Sequence, residues 1–404
     1  MIDNDNQNIS NILIKLENFE NRIIILEKDN IILKKENEKL KEEIESLKKE
    51  INTINKNQIN NSENSKIQNI KKEEKKETNS ENIIEKKNEI LESEKKEIKK
   101  NEISIIKKLK EINTIEAHDD AIFKVSVFPS GNFVSVSSDK SIKIWNKQNE
   151  NIQIIKNAHN DTIYYISIKD ENNFATCSFD NSIKIWIKKN KNNKFECIET
   201  INKTHNKTIF KVIYCLNNEI ISCSYDKTVK IWSNENKKKI YECIKIFNHK
   251  VFVNTILLLQ DKNILISAGW DGTYFWNYKT YENIIKINDA ICLSCDALRK
   301  FNNNQIIVGG KGDCKIKIID INNFKIINEV YNEFTCYGIL VMEKIGVFLT
   351  GGKCKDIKVF SCSDLKCIQN IIGAHNNSII GFTQLNEKSV ISFSWDNTIK
   401  IWSF

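Results

Sequence analysis

Ser137-Ser138-Asp139-Lys140-Ser141-Ile142-Lys143-Ile144-Trp145 is the stretch that decides the fold. It returns as Cys177-Ser178-Phe179-Asp180-Asn181-Ser182-Ile183-Lys184-Ile185-Trp186. It returns again as Tyr225-Asp226-Lys227-Thr228-Val229-Lys230-Ile231-Trp232, and near the end as Trp395-Asp396-Asn397-Thr398-Ile399-Lys400-Ile401-Trp402. Weaker copies run over 271–276, 313–319 and 354–360. The closing residues fall at 145, 186, 232, 276, 319, 360 and 402, spaced 41 to 46 apart. A period of that size, seven times over, predicts one supersecondary unit copied around a closed ring. In each copy a polar turn separates two apolar runs. The second run is rich in β-branched residues and too short for a helix, so it reads as a strand. The turn Asp is suited to accept hydrogen bonds from its own backbone.

With these residues the chain resembles the WD-repeat β-propeller family. There a His, a Ser or Thr, a turn Asp and a Trp hydrogen-bond within one blade. The matching positions here are His118, Ser135, Asp139 and Trp145; then His159, Thr176, Asp180 and Trp186; then His205, Ser222, Asp226 and Trp232. The fourth set is His249, Ser267, Asp271 and Trp276, with one residue fewer between Asp and Trp. The last is His375, Ser392, Asp396 and Trp402. All five histidines are thereby assigned structural roles. The fifth unit keeps Asp313 but has Cys292, Gly309 and Ile319 elsewhere. The sixth keeps Thr350, with Glu333, Cys354 and Phe360. The resemblance spans roughly residues 108–404 and implies an all-β seven-bladed propeller over 105–404. In the family a strand preceding the first His closes the last blade, and the segment near 108–115 is the expected donor.

The residues before the ring are different in kind. Residues 9–54 follow a strict three-four apolar spacing, which predicts a left-handed parallel coiled coil over 1–56. Its seam runs through Ile23, Leu26, Asn30, Leu33, Asn37, Leu40, Ile44 and Leu47. Ile at one seam position and Leu at the other favour two strands, and a seam Asn fixes register. The flanking pairs Lys15–Glu20, Arg22–Glu27, Asp29–Lys34, Glu36–Lys41 and Glu43–Lys48 are all attractive in a parallel homodimer. Residues 57–104, mostly Asn, Lys, Glu and Ser with scattered Ile, read as a low-complexity tether, partly helical at most.

Charge and cysteine usage narrow the function. The 61 basic and 53 acidic residues leave +8. Only Arg22 and Arg299 are arginines, which argues against a dedicated nucleic-acid reader. No apolar run approaches the ~20 residues that span a bilayer. The twelve cysteines lie between Cys177 and Cys367 without paired spacings, and the start Met-Ile-Asp-Asn-Asp carries no basic leader. A reducing, cytoplasmic setting is expected.

No catalytic or cofactor motif stands out, and neither an enzyme nor a cofactor or metal is expected. Gly309-Gly310-Lys311-Gly312 sits at a strand-to-turn position. Cys292-Leu293-Ser294-Cys295 is one CxxC without a second pair. The ring's top face is the expected site. In the family the residue before the turn Asp lies there, which selects Phe179, Tyr225, Trp270 and Trp395. A second such position falls five residues after the His: Phe123, Tyr164 and Phe210. The expectation is a scaffold that docks proteins or peptides on these aromatics and pairs through its coiled coil. The alternatives are a G-protein β-like subunit with a small helical γ partner, and a propeller enzyme.

Overall fold

The computed structural model describes residues 108–189, 191–234, 241–310 and 313–404. The expected coiled coil and tether lie outside them, as do Lys311 and Gly312. The described chain forms twenty-eight strands in seven four-stranded antiparallel sheets. Six of these blades are consecutive in sequence, over 122–155, 163–201, 209–248, 253–287, 298–331 and 336–371. The seventh takes three strands from 379–403 and its outer strand, Lys110–Glu116, from the start of the ring. That strand pairs antiparallel with Thr398–Ser403, Lys110 opposite Ser403 and Glu116 opposite Thr398.

The innermost strands are Ile122–Val127, Ile163–Asp170, Ile209–Tyr214, Val253–Leu259, Leu298–Asn302, Cys336–Met342 and Ile379–Gln384. Each contacts the next, and the last returns to the first, so the ring closes around a channel. The middle strands carry the core. Phe133–Ser137, Ile220–Ser224 and Ser389–Ser394 are buried along their whole length. They are short apolar runs sandwiched between blades, which is why they do not alternate as a half-exposed strand does. The outer strands do face water on one side, and leave Ile154, Ile198, Ile244 and Ile327 exposed.

Two local features repeat with the blades. The third and outer strands slip register just before the closing aromatic or apolar residue, as at Ile144/Trp145, Ile185/Trp186 and Val359/Phe360. Such a bulge adds twist and re-aims the side chain into the blade. The residue after the turn Asp, or after Cys354 in the sixth blade, has positive φ in all seven blades. These are Lys140, Asn181, Lys227, Gly272, Cys314, Lys355 and Asn397. Asn tolerates this left-handed conformation well. Gly272 is needed for a further reason, since a Cβ there would run into the Ile287 carbonyl.

Candidate functional site

The blade tetrads are built by the turns. In the first blade His118 Nδ1 lies 2.7 Å from Asp139 Oδ2, and Nε2 lies 2.7 Å from Ser135 Oγ. Trp145 Nε1–H donates to the same Oγ at 2.9 Å. Asp139 Oδ1 accepts the backbone N–H of Ser141 at 2.8 Å. Because Ser135 Oγ already accepts from the indole, its own O–H is free to donate to Nε2. The network is therefore complete with a neutral imidazole whose Nδ1–H donates to the carboxylate. Burial, the largest influence, pulls the His118, His159 and His205 pKa values down in keeping with that neutral form. Burial pushes the Asp139 carboxyl up, but the bonds from His118 and Ser141 outweigh it and hold it well below the usual range. The second, third and last blades repeat the geometry. His159–Asp180 is 3.0 Å, His205–Asp226 2.9 Å and His375–Asp396 2.9 Å.

The fourth blade departs from the expected tetrad. His249 Nε2 still meets Ser267 Oγ at 2.8 Å, and Trp276 donates to that Oγ at 2.7 Å. Asp271, however, stands 3.6 Å from His249 Nδ1, beyond hydrogen-bond range, and accepts instead from Tyr274 Oη–H at 2.7 Å. The missing residue between Asp271 and Trp276 shortens the turn and draws the carboxylate towards Tyr274. His249 Nδ1 is left buried without a hydrogen-bond partner, and burial takes its pKa down to about 4. In the sixth blade Thr350 Oγ1–H donates to Asn332 Oδ1 at 2.8 Å. Asn332, fully buried, thus does what Glu333 was positioned to do in sequence, while Glu333 pairs with Lys358 at 2.6 Å. In the fifth, Asp313 accepts the Lys315 backbone N–H and meets Lys317 Nζ at 3.0 Å.

At one end of the channel the aromatic side chains selected from sequence come together. Phe123 and Tyr164 have ring centroids 4.6 Å apart, and Tyr164 and Phe210 5.3 Å. Phe123 also meets Trp395 at 6.3 Å, Tyr164 meets Phe179 at 6.3 Å, and Phe210 meets Tyr225 at 6.1 Å. Two residues not anticipated complete the arc. Phe252 stacks on Tyr225 at 4.7 Å and touches Trp270 at 4.9 Å, while Tyr337 meets Trp395 at 6.1 Å. Phe252 lies three residues after its His rather than five, and Tyr337 belongs to a blade whose His is absent, so the spacing that found Phe123 missed both. The arc runs from the sixth blade through the seventh to the fourth and leaves the fifth open. Phe179, Tyr225, Trp270 and Trp395 are 49%, 42%, 44% and 39% exposed. Phe123, Tyr164, Phe210, Phe252, Trp270, Tyr337 and Trp395 line a cup of about 310 Å³, and Phe179 and Tyr225 pack against its lining rings without lining it themselves.

The floor of the cup was not legible in the sequence. The connection from the fourth blade's outer strand to the fifth blade's inner strand, residues 288–297, crosses the channel. Leu293, Ser294, Cys295 and Asp296 line the cup from below. Cys295 Sγ–H donates to the Phe210 carbonyl at 3.0 Å, and Ile339 N–H donates to the Asp296 carbonyl at 3.0 Å. The Asp296 side chain is buried and meets Lys124 Nζ at 2.7 Å, Arg299 at 2.6 Å and Tyr165 Oη at 3.2 Å. Its side chain and backbone together therefore tie the first, second, fifth and sixth blades to one residue. Burial raises its pKa, but Arg299, Lys124 and Lys211 together hold it well below the usual range. Burial also pushes the Cys292 and Cys295 thiols up, to about 11 and about 12. A raised thiol pKa leaves little thiolate, the nucleophilic form, at neutral pH. Among the described residues no group of His, Cys, Asp and Glu is arranged to hold a metal ion. No described helix is long and apolar enough to cross a membrane.

Comparison with known families places WD repeats on this ring. The family described as "WD domain, G-beta repeat" matches residues 109–146, 150–186, 195–233, 241–276 and 365–403. The fifth blade and most of the sixth, whose tetrads have lost most of their members, fall between the last two matches. No curated protein matches the chain.

Proposed function

Taking this chain as WD40 repeats closed into a seven-bladed β-propeller, we propose that it is a non-enzymatic scaffold whose aromatic cup docks a protein or peptide partner. WD40 propellers are in general non-catalytic interaction modules. The observation that carries the reading is the exposed arc of aromatic rings around one channel mouth. Trp and Tyr anchors dominate binding energy because they bury much area with few rotors to freeze. The cup's volume suits one or two apolar side chains of a partner segment. Replacing Trp270 or Trp395 by Ala is expected to weaken a partner recovered by pull-down with the ring by about 2 kcal/mol or more, with melting of the ring little changed. Replacing Asp226 or Asp396 by Ala should do the reverse, costing ~1–3 kcal/mol of stability by leaving turn donors unpaired. Trp variants that melt as early as the Asp variants would remove the cup as a docking site.

The heptads add a second element to this proposal. A parallel homodimer through residues 1–56, followed by the tether, presents two rings on one stalk in the cytoplasm. Bivalent capture then gains from effective concentration rather than from new contacts. The five attractive flanking pairs are self-complementary, which favours this over a β-like subunit that needs a separate γ chain. Sedimentation of the full chain at micromolar concentration should give a dimer. Replacing Leu33 and Leu40 by Pro should give a monomer, since each Pro costs a helix interior ~3 kcal/mol or more. A monomeric unmodified chain would refute the stalk.

A further inference from the structure

Beneath the crossing segment the channel holds a second cavity, of about 550 Å³. On the first three inner strands its walls start one residue beyond those of the cup, at Lys124, Tyr165 and Lys211, and they continue to Leu216 and Gln260, so it occupies the other end of the channel. Lys124, Lys169, Lys211 and Arg299 line it, and no carboxylate among the described residues does. Lys124 and Lys211 are buried, and Arg299 is largely so. Lys169 sits further out, against Asn218.

The charges of this cavity do not balance. Asp296, just above it, is shared by Lys124 and Arg299. Lys211 donates instead to Thr255 Oγ1 at 3.0 Å and to the Cys295 carbonyl at 2.9 Å. Three inner cations thus face one carboxylate. Both ammoniums also lie 5.1 Å from the Tyr165 ring centroid. That contact lowers the cost of burial but cancels no charge. Burial, the largest influence, pulls the Lys124 and Lys211 pKa values down to about 8, so both stay mostly protonated at pH 7. Arg299 keeps its proton at any working pH. Of the three N–H groups on each ammonium, Lys124 uses one and Lys211 two. Uncompensated buried charge is costly and calls for a partner.

We infer that this cavity is an anion site that takes a small phosphate-bearing molecule, seated against Lys124, Lys211 and Arg299 at the channel end opposite the aromatic cup. Guanidinium and ammonium groups together suit phosphate oxygens, and the cavity has small-molecule size. The site is independent of the docking proposal, because no residue of the cup rim contributes to it.

The probe is pyrophosphate, titrated calorimetrically into the full chain at pH 7 with ionic strength matched by sodium chloride. The expected result is one site per chain, weakened at least tenfold by Lys211→Met and unchanged by Lys344→Met, an exposed lysine paired with Glu387. In case Lys211→Met does not fold, amine labelling of the unmodified chain, read by mass spectrometry, gives a second readout. Pyrophosphate should slow labelling of Lys124 and Lys211 at least fivefold relative to Lys344. Binding that survives Lys211→Met, absent binding, or pyrophosphate slowing the labelling of Lys124 and Lys211 no more than that of Lys344 would overturn the assignment.

Discussion

Deleting residues 1–117 is expected to abolish a soluble, monomeric ring, whereas deleting residues 1–104 is expected to preserve one. The two truncations differ by the strand Lys110–Glu116 and its two buried ends. The strand's own side chains are mostly exposed, so its contribution is not chiefly burial. It covers the outer edge of Thr398–Ser403 along six paired positions, from Lys110–Ser403 to Glu116–Thr398. Without it that edge is an open template for other chains. The ends add to this. Leu109 is buried among Leu349, Val359 and Trp402, and its backbone exchanges two hydrogen bonds of 2.8 Å with the Gln369 side chain. Ala117 is fully buried beside Ile399. Loss of the Leu109 packing alone costs about 2–5 kcal/mol. Added to the lost strand pairing, that is comparable with the whole stability of a domain. Thermal melting and size-exclusion chromatography of the two truncations provide the check. Equal melting temperatures would show that the ring closes without this strand.

The second large effect is expected at Asp296. Replacement by Ala removes the carboxylate that Lys124 and Arg299 share, and leaves two buried cations without that counter-charge. Breaking a buried pair from one side costs about 3–5 kcal/mol. The backbone would loosen with it, because the Asp296 carbonyl accepts from Ile339 and its carboxylate rests against the backbone of Gly381. A Cβ at Gly381 would run into that carboxylate, so Gly381→Ala should destabilise in the same direction. Asp313→Ala is the contrast. Asp313 also pairs with a lysine, but its side chain is 37% exposed, and exposed pairs are worth ~0–1 kcal/mol. Denaturant unfolding of the three variants gives the comparison. An Asp296→Ala cost below about 1 kcal/mol would mean that the channel is wet enough to hydrate Lys124 and Arg299.

The ring was legible in the sequence because its information is local and repeated. A turn Asp, a following left-handed residue and a β-branched run ending in Trp145 form a hairpin from neighbouring residues alone, and a period of 41 to 46 residues repeats that hairpin seven times. The spacing of 21 residues between His118 and Asp139 is likewise set within one blade, so the hydrogen bond between them follows from the motif. The family resemblance carried by that motif implied one face for Phe179, Tyr225, Trp270 and Trp395, and their rings join one arc there. What the tertiary structure alone decided lies where residues distant in sequence meet. Phe252 and Tyr337 complete the aromatic arc from positions that no repeat marks, because ring contacts between blades depend on closure of the ring. Asn332 replaces the missing His of the sixth blade from one residue earlier than the repeat specifies, since only the packed blade shows which side chain reaches Thr350. Asp296 lies 172 residues from Lys124. Nothing in the local sequence of either residue specifies that pairing, because the channel that buries both exists only after the first and last blades have joined.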